Sequence, residues 1–68
     1  MEWTLLASAP SLEAAQQAAT RFYCGQAMHL EPDGEAQWAI LRKSDGKRLE
    51  GVRVIRAKRG RFRFEMSA

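Results

Sequence analysis

Cysteine is nearly absent. Cys24 stands alone, so no disulfide can form within the chain, and a reducing compartment suits it better than a secreted scaffold. Histidine is as scarce: around His29, the only one, no Ser/His/Asp set can be assembled, and no second His or Cys lies at metal-ligand spacing. There is no glycine-rich phosphate loop. Apolar runs last only a few residues, far short of the roughly 18 needed to span a bilayer. The start also lacks a basic stretch followed by an apolar one, as a secretory signal would have. Together these absences point to a cytoplasmic protein that is not an enzyme and uses no metal or cofactor.

What is present fits one small domain spanning Met1 to Ala68. The chain has 68 residues, 46% of them hydrophobic, and a domain of that size buries only about 60% of the surface its unfolded chain exposes. A deep catalytic cleft is hard to build on that scale. Stability should be marginal unless a partner or a second copy adds burial, so binding is the better default.

The charge is unevenly placed. Ten of the eleven Lys and Arg lie between Arg42 and Arg63, opposed there only by Asp45 and Glu50, while the rest of the chain is net acidic. The C-terminal half should therefore attract an anionic surface, either nucleic acid or an acidic protein.

Periodicity predicts an α+β fold in the order β-α-β-β-β-β, an antiparallel sheet with one helix on one face. Met1 to Ala7 alternates as a strand, with Trp3, Leu5 and Ala7 on one face. Ser11 caps a helix that opens at Leu12, buries Leu12, Ala15, Ala19 and Phe22, and stops at Gly25. From Gln26 the period is two. A three-residue loop within Glu31-Pro32-Asp33-Gly34-Glu35 would pair Met28 with Trp38 and Leu30 with Ala36. Ser44-Asp45-Gly46-Lys47 reads as a second hairpin turn, and Gly51 as a bulge.

The third hairpin decides where the arginines point. A two-residue turn at Arg59-Gly60 would place Arg at positive φ and oppose like charges, whereas a three-residue loop ending at Gly60 pairs Val54 with Phe64 and Val52 with Met66 inward. The outer face then carries Arg53 opposite Glu65, Ile55 opposite Arg63, and Arg61. Arg56, Lys58 and Arg59 gather at the loop end. With Lys47 and Arg48 from the preceding turn, these residues form the expected partner-binding set: Lys47, Arg48, Arg53, Ile55, Arg56, Lys58, Arg59, Arg61 and Arg63.

Other candidates have plainer readings. Arg61-Phe62-Arg63-Phe64 invites a nucleic-acid reading, but both phenylalanines are expected in the core, which removes the stacking platform of RNA-binding sheets. His29 should point to solvent. Cys24 is expected to be a structural thiol, since a helix C-terminus disfavours a thiolate. Asp33, Glu35 and Asp45 are turn residues, and Trp3 and Trp38 are expected core anchors.

From Ser11 to Arg48 the order of features resembles a family of small phage-encoded anti-CRISPR proteins that act on type I effector complexes. The shared elements are an Ala-rich helix opening with Ser11-Leu12, the exit Phe22-Tyr23-Cys24-Gly25, Met28 in the next strand, Trp38, and the turn Asp45-Gly46-Lys47-Arg48. The resemblance implies a stoichiometric inhibitor that docks on the RNA-guided CRISPR-Cas effector and blocks target DNA. Because this chain is basic where it is charged, Lys47, Arg48, Arg53, Arg61 or Arg63 would engage acidic protein or bound nucleic acid, with Ile55 or Leu41 as apolar anchor. The alternatives are a DNA- or RNA-binding module using the same face, and a homodimer.

Overall fold

The structure, a computed structural model, describes residues 2–67. Its elements follow the expected order: β1 (Trp3–Ala9), α1 (Leu12–Phe22), β2 (Met28–Pro32), β3 (Gln37–Arg42), β4 (Val52–Arg56) and β5 (Phe62–Ser67), with a 3-10 turn at Lys58–Gly60. The strands form one antiparallel sheet in the order β1-β5-β4-β3-β2. The last four strands are therefore a meander, and β1 returns to its far edge beside β5. The helix packs on one face, against β1, β2 and β5.

The helix starts where Ser11 adopts extended backbone (φ −154°) and its Oγ accepts the Ala14 N–H at 3.1 Å, satisfying one of the orphan donors of the first turn. Ala15 and Ala19 are fully buried. Their small side chains let the helix lie close on the sheet, and Thr20 Oγ1 accepts the Met28 N–H at 3.3 Å, tying the last turn to β2. The chain leaves the helix through left-handed backbone at Cys24 (φ 59°) and Gly25 (φ 87°), where the Gly25 N–H returns to the Thr20 carbonyl. Phe22 departs from expectation. It is 44% exposed and meets Phe64 edge to face at 5.5 Å, while its neighbour Tyr23 packs against the core.

Phe64, Met28, Ile40 and Val54 are the largest fully buried side chains, joined by Ala9, Ala15, Ala19 and Val52. Burying a side chain of this kind contributes about 1.5–3 kcal/mol. Four such residues, set against chain entropy, leave a domain that tolerates little loss.

The faces of β1 and the register of the first hairpin differ from the sequence expectation. In β1 the ladder to β5 slips between Leu5 and Ala7, so Leu6 is a bulge: Leu5 stays opposite Glu65 on the outer face, while Ala7 is opposite Phe64 on the helix side. Trp3, Leu5 and Ala7 do not share a face. In the first hairpin Met28 pairs with Arg42 and Leu30 with Ile40, and the Asp33 N–H bonds to the Gln37 carbonyl around a three-residue loop, Gly34 to Ala36, set two residues later than expected, with Gly34 and Ala36 at positive φ. That shift is by an even number of residues, so Met28, Leu30 and Trp38 still face the helix.

The turn at Ser44 to Lys47 forms, but the β3–β4 ladder does not run on from it. Leu41 bridges Arg48, whereas Trp38, three residues back, pairs with Val54, six residues on. The three extra residues are accommodated between Leu49 and Gly51, where Gly51 takes φ 75° and its carbonyl accepts the Ser67 N–H. The expected irregularity at Gly51 is there. The β4–β5 ladder matches expectation throughout: Val52 with Met66, Arg53 with Glu65, Val54 with Phe64, Ile55 with Arg63.

Candidate functional site: a basic hairpin end beside an open sheet face

Phe64 is buried among core residues and Phe62 packs against them, so the arginines alternating with these rings, Arg61 and Arg63, lie on the sheet face that carries no helix. Arg53, Ile55 and Glu65 share it. Glu65 is only 4% exposed although its face is open, because Arg53 and Arg63 close over it from adjacent positions. Arg53 Nε donates to Glu65 Oε1 at 3.0 Å, and Arg63 Nε donates to Oε2 at 2.7 Å. Burial would raise the Glu65 carboxyl, but the hydrogen bonds and charges of the two arginines outweigh it and hold the group below its ordinary range.

Trp3 belongs to this arrangement. It is not the expected core anchor: the register of β1 sets it on the open face, half-buried, with the Arg53 guanidinium 3.8 Å from its ring centroid. Two features missed in the sequence, the outward Trp3 and the acceptor role of Ser8, follow from the Leu6 bulge. The only sequence sign of that bulge is the Leu5-Leu6 doublet, which breaks the alternation.

Carboxylate contacts sort the expected partner-binding residues into two sets. Arg48 Nη2 lies 2.7 Å from Asp33 Oδ2, and Arg53 and Arg63 hold Glu65. Among the described residues, Lys47, Arg56, Lys58, Arg59 and Arg61 make no ion pair. Four of those five come from the six residues Arg56 to Arg61. Arg61 is steered by Ser8, whose Oγ accepts from its Nε at 3.3 Å and its Nη2 at 3.0 Å. Arg56 lies on the helix-side face, opposite Phe62, with its guanidinium 5.7 Å from the Trp38 ring and 5.9 Å from that of Phe62. The two rings meet edge to face at 5.6 Å.

Lys58 and Arg59 form the tip. The loop has the expected three residues, with the Ala57 N–H bonded to the Arg61 carbonyl at 2.7 Å. Yet Arg59 is still at φ 62°, the strain that the three-residue loop was expected to avoid. Left-handed backbone costs a side-chain-bearing residue roughly 1–2 kcal/mol, and here it falls on an exposed cation rather than on a glycine. Lys47 sits apart at the other turn, where Asp45 accepts its N–H and a two-pronged contact from Arg42, 2.6 Å at the closer prong. Those bonds lower the Asp45 carboxyl to about 2.

The remaining candidates place simply. His29 is exposed on β2 opposite Leu41. Cys24 is an exposed free thiol in the turn after the helix, not a packed structural one, because the chain has already turned away from the sheet there. A groove of about 400 Å³ opens between Trp3, Gln37, Arg48, Gly51 and Arg53. Both of its guanidinium groups already hold carboxylates, which leaves little to fix a small anion. Among the described residues no three His, Cys, Asp or Glu come together as a metal site, and no helix is long and apolar enough to cross a membrane. Comparison with protein-family models, curated proteins and solved structures finds no match.

Proposed function

We propose that this is a non-enzymatic, cytoplasmic binding protein of phage or mobile-element type that inhibits a type I CRISPR effector complex by occupying its surface. The observation behind this reading is the concentration of cations without carboxylate partners among the described residues, Arg56, Lys58, Arg59 and Arg61, at one end of the sheet. Such a cluster raises the encounter rate with an anionic surface and fixes its orientation. Exposed pairs give only about 0.2–1 kcal/mol each, so affinity requires the adjoining apolar surface, with Ile55 and Leu5 as anchors. The family resemblance over Ser11 to Arg48 supplies the kind of target. Pull-down against purified type I complexes, followed by a target-DNA binding assay, tests the reading. Association that excludes target DNA and is lost on Lys58→Glu plus Arg59→Glu supports it, and no association at micromolar concentration removes it.

Direct binding to DNA or RNA is the second reading, favoured by the position of Arg56 over Trp38 and Phe62 at the same end as the free cations. Cations neutralise phosphates and half-exposed rings receive bases. It predicts affinity that falls steeply with salt. Failure to shift any duplex or single strand at low salt dismisses it.

A further inference from the structure

The two edges of the sheet are not alike. β2 is a five-residue edge carrying His29, Glu31 and Pro32, features that blunt strand addition. β1 is a seven-residue edge, Trp3–Ala9, with no charge and no proline inside it. Leu5, 43% exposed, is one of the two large hydrophobic side chains most open to solvent. Among the described residues the main-chain groups of β1 pair only with β5, so the other side of the strand presents free donors and acceptors. Its one guard is the bulge at Leu6.

The ground beside this edge is cationic. Arg61 bonds to Ser8 Oγ, and Arg63 is the cross-strand partner of Ser8, giving its Nε to Glu65 while its terminal nitrogens make no hydrogen bond among the described residues. We propose that β1 is a docking edge for an extended acidic segment of a partner protein, which adds as a sixth strand. It would set a carboxylate beside Ser8, in reach of Arg61 and Arg63, and an apolar side chain beside Leu5. Main-chain bonds supply affinity in this mode of recognition, and alternate side chains supply the choice of partner. A second copy fits less well. Two β1 strands related by a two-fold would set bulge against bulge and bring four arginines onto one face, with no carboxylate in β1 to receive them. The proposal rests on the binding-protein reading, but its test needs no effector complex, so either can fail alone.

The test is a titration of the ¹⁵N-labelled full chain with a synthetic peptide of Asp-Thr-Val-Thr repeats, whose Asp and Val share one strand face, and with the same peptide N-methylated at alternate residues to remove its strand-pairing donors. The expected result is amide shifts confined to Trp3 through Ser8 and to Arg61 and Arg63. The methylated peptide should bind about tenfold more weakly, as should Leu5→Lys and Arg61→Glu variants whose free spectra remain folded. Equal affinity for the methylated peptide would reduce the contact to charge alone and overturn the proposal. So would shifts centred on β2 or on the Lys58–Gly60 tip, an absence of shifts, or concentration-dependent protection of β1 without peptide, which would assign the edge to a second copy.

Discussion

Replacing Glu65 by Gln should cost stability in a way that depends on pH. The residue is 4% exposed and receives Arg53 and Arg63 at 3.0 and 2.7 Å. Hydrogen bonds to charged groups contribute about 1.5–3 kcal/mol when buried. Because Arg63 is 39% and Arg53 24% exposed, solvent screens part of the interaction, and a total near 2 kcal/mol is expected. In a domain of this size each kcal/mol moves Tm by roughly 4–8 °C, so Glu65→Gln should melt about 8–16 °C lower at pH 7. The folded-state carboxyl is held below its ordinary value of 4.5, so the folded chain binds fewer protons there than the unfolded one. The stabilisation is therefore complete above that value and fades as pH falls through the lower folded-state pKa. Thermal melts by circular dichroism at pH 7 and pH 2, on both proteins, isolate the effect, because the Asp45 contribution is common to both. Equal melting temperatures at pH 7 would refute the reasoning, and an undiminished difference at pH 2 would assign the cost to packing rather than charge.

Three further outcomes are expected. Phe64→Ala, emptying the largest fully buried site, should cost about 3–5 kcal/mol and leave a collapsed proton NMR spectrum at 25 °C; retained amide dispersion would contradict the assigned core. Ser11→Ala should lose about 1 kcal/mol in urea titration with no change of slope, since only the helix cap is removed. Arg59→Gly relieves the left-handed strain at φ 62° and should raise stability by about 0.5–1 kcal/mol net of glycine's entropy, while weakening whatever anionic partner the hairpin binds; a loss of stability would mean that the Arg59 side chain supports the fold.

The sequence discloses the fold where local chemistry is unambiguous. Ser11 as cap, Ala15 and Ala19 as buried face, and the register of the last hairpin follow from side-chain period and from opposing charges, and each stands as expected. Loop position was less legible. Pro32 and Gly34 announce a turn, but Ala36 also takes positive φ, a conformation its residue type does not advertise, and the first hairpin therefore closes four residues away in register. The face assignments survived because an even slip preserves them. Trp3 was misplaced for the opposite reason: a single bulged residue inverts a face, and in an apolar doublet such as Leu5-Leu6 either residue can be the extra one. The candidate basic residues were legible as a set, but their division into paired and unpaired was not. The contact between Arg48 and Asp33 spans fifteen residues and depends on how the strands are laid side by side.

That division changes what net charge means for this chain. Arg42, Arg48, Arg53 and Arg63 serve mainly to neutralise Asp45, Asp33 and Glu65, and their removal should register first as lost stability. Among the described residues Arg56, Lys58, Arg59 and Arg61 hold no carboxylate, and one of them occupies backbone that costs energy to hold. Strain borne by an exposed cation contributes nothing evident to the core, and under the proposed binding role it would serve the partner contact rather than the fold. Charge-reversal scanning should therefore separate the two sets cleanly. Reversals within Arg56 to Arg61 should change association at little cost in Tm, and reversals at Arg48 or Arg53 should do the converse. Parallel losses in both measurements across both sets would mean that the ion pairs, and not the unpaired hairpin, form the working surface.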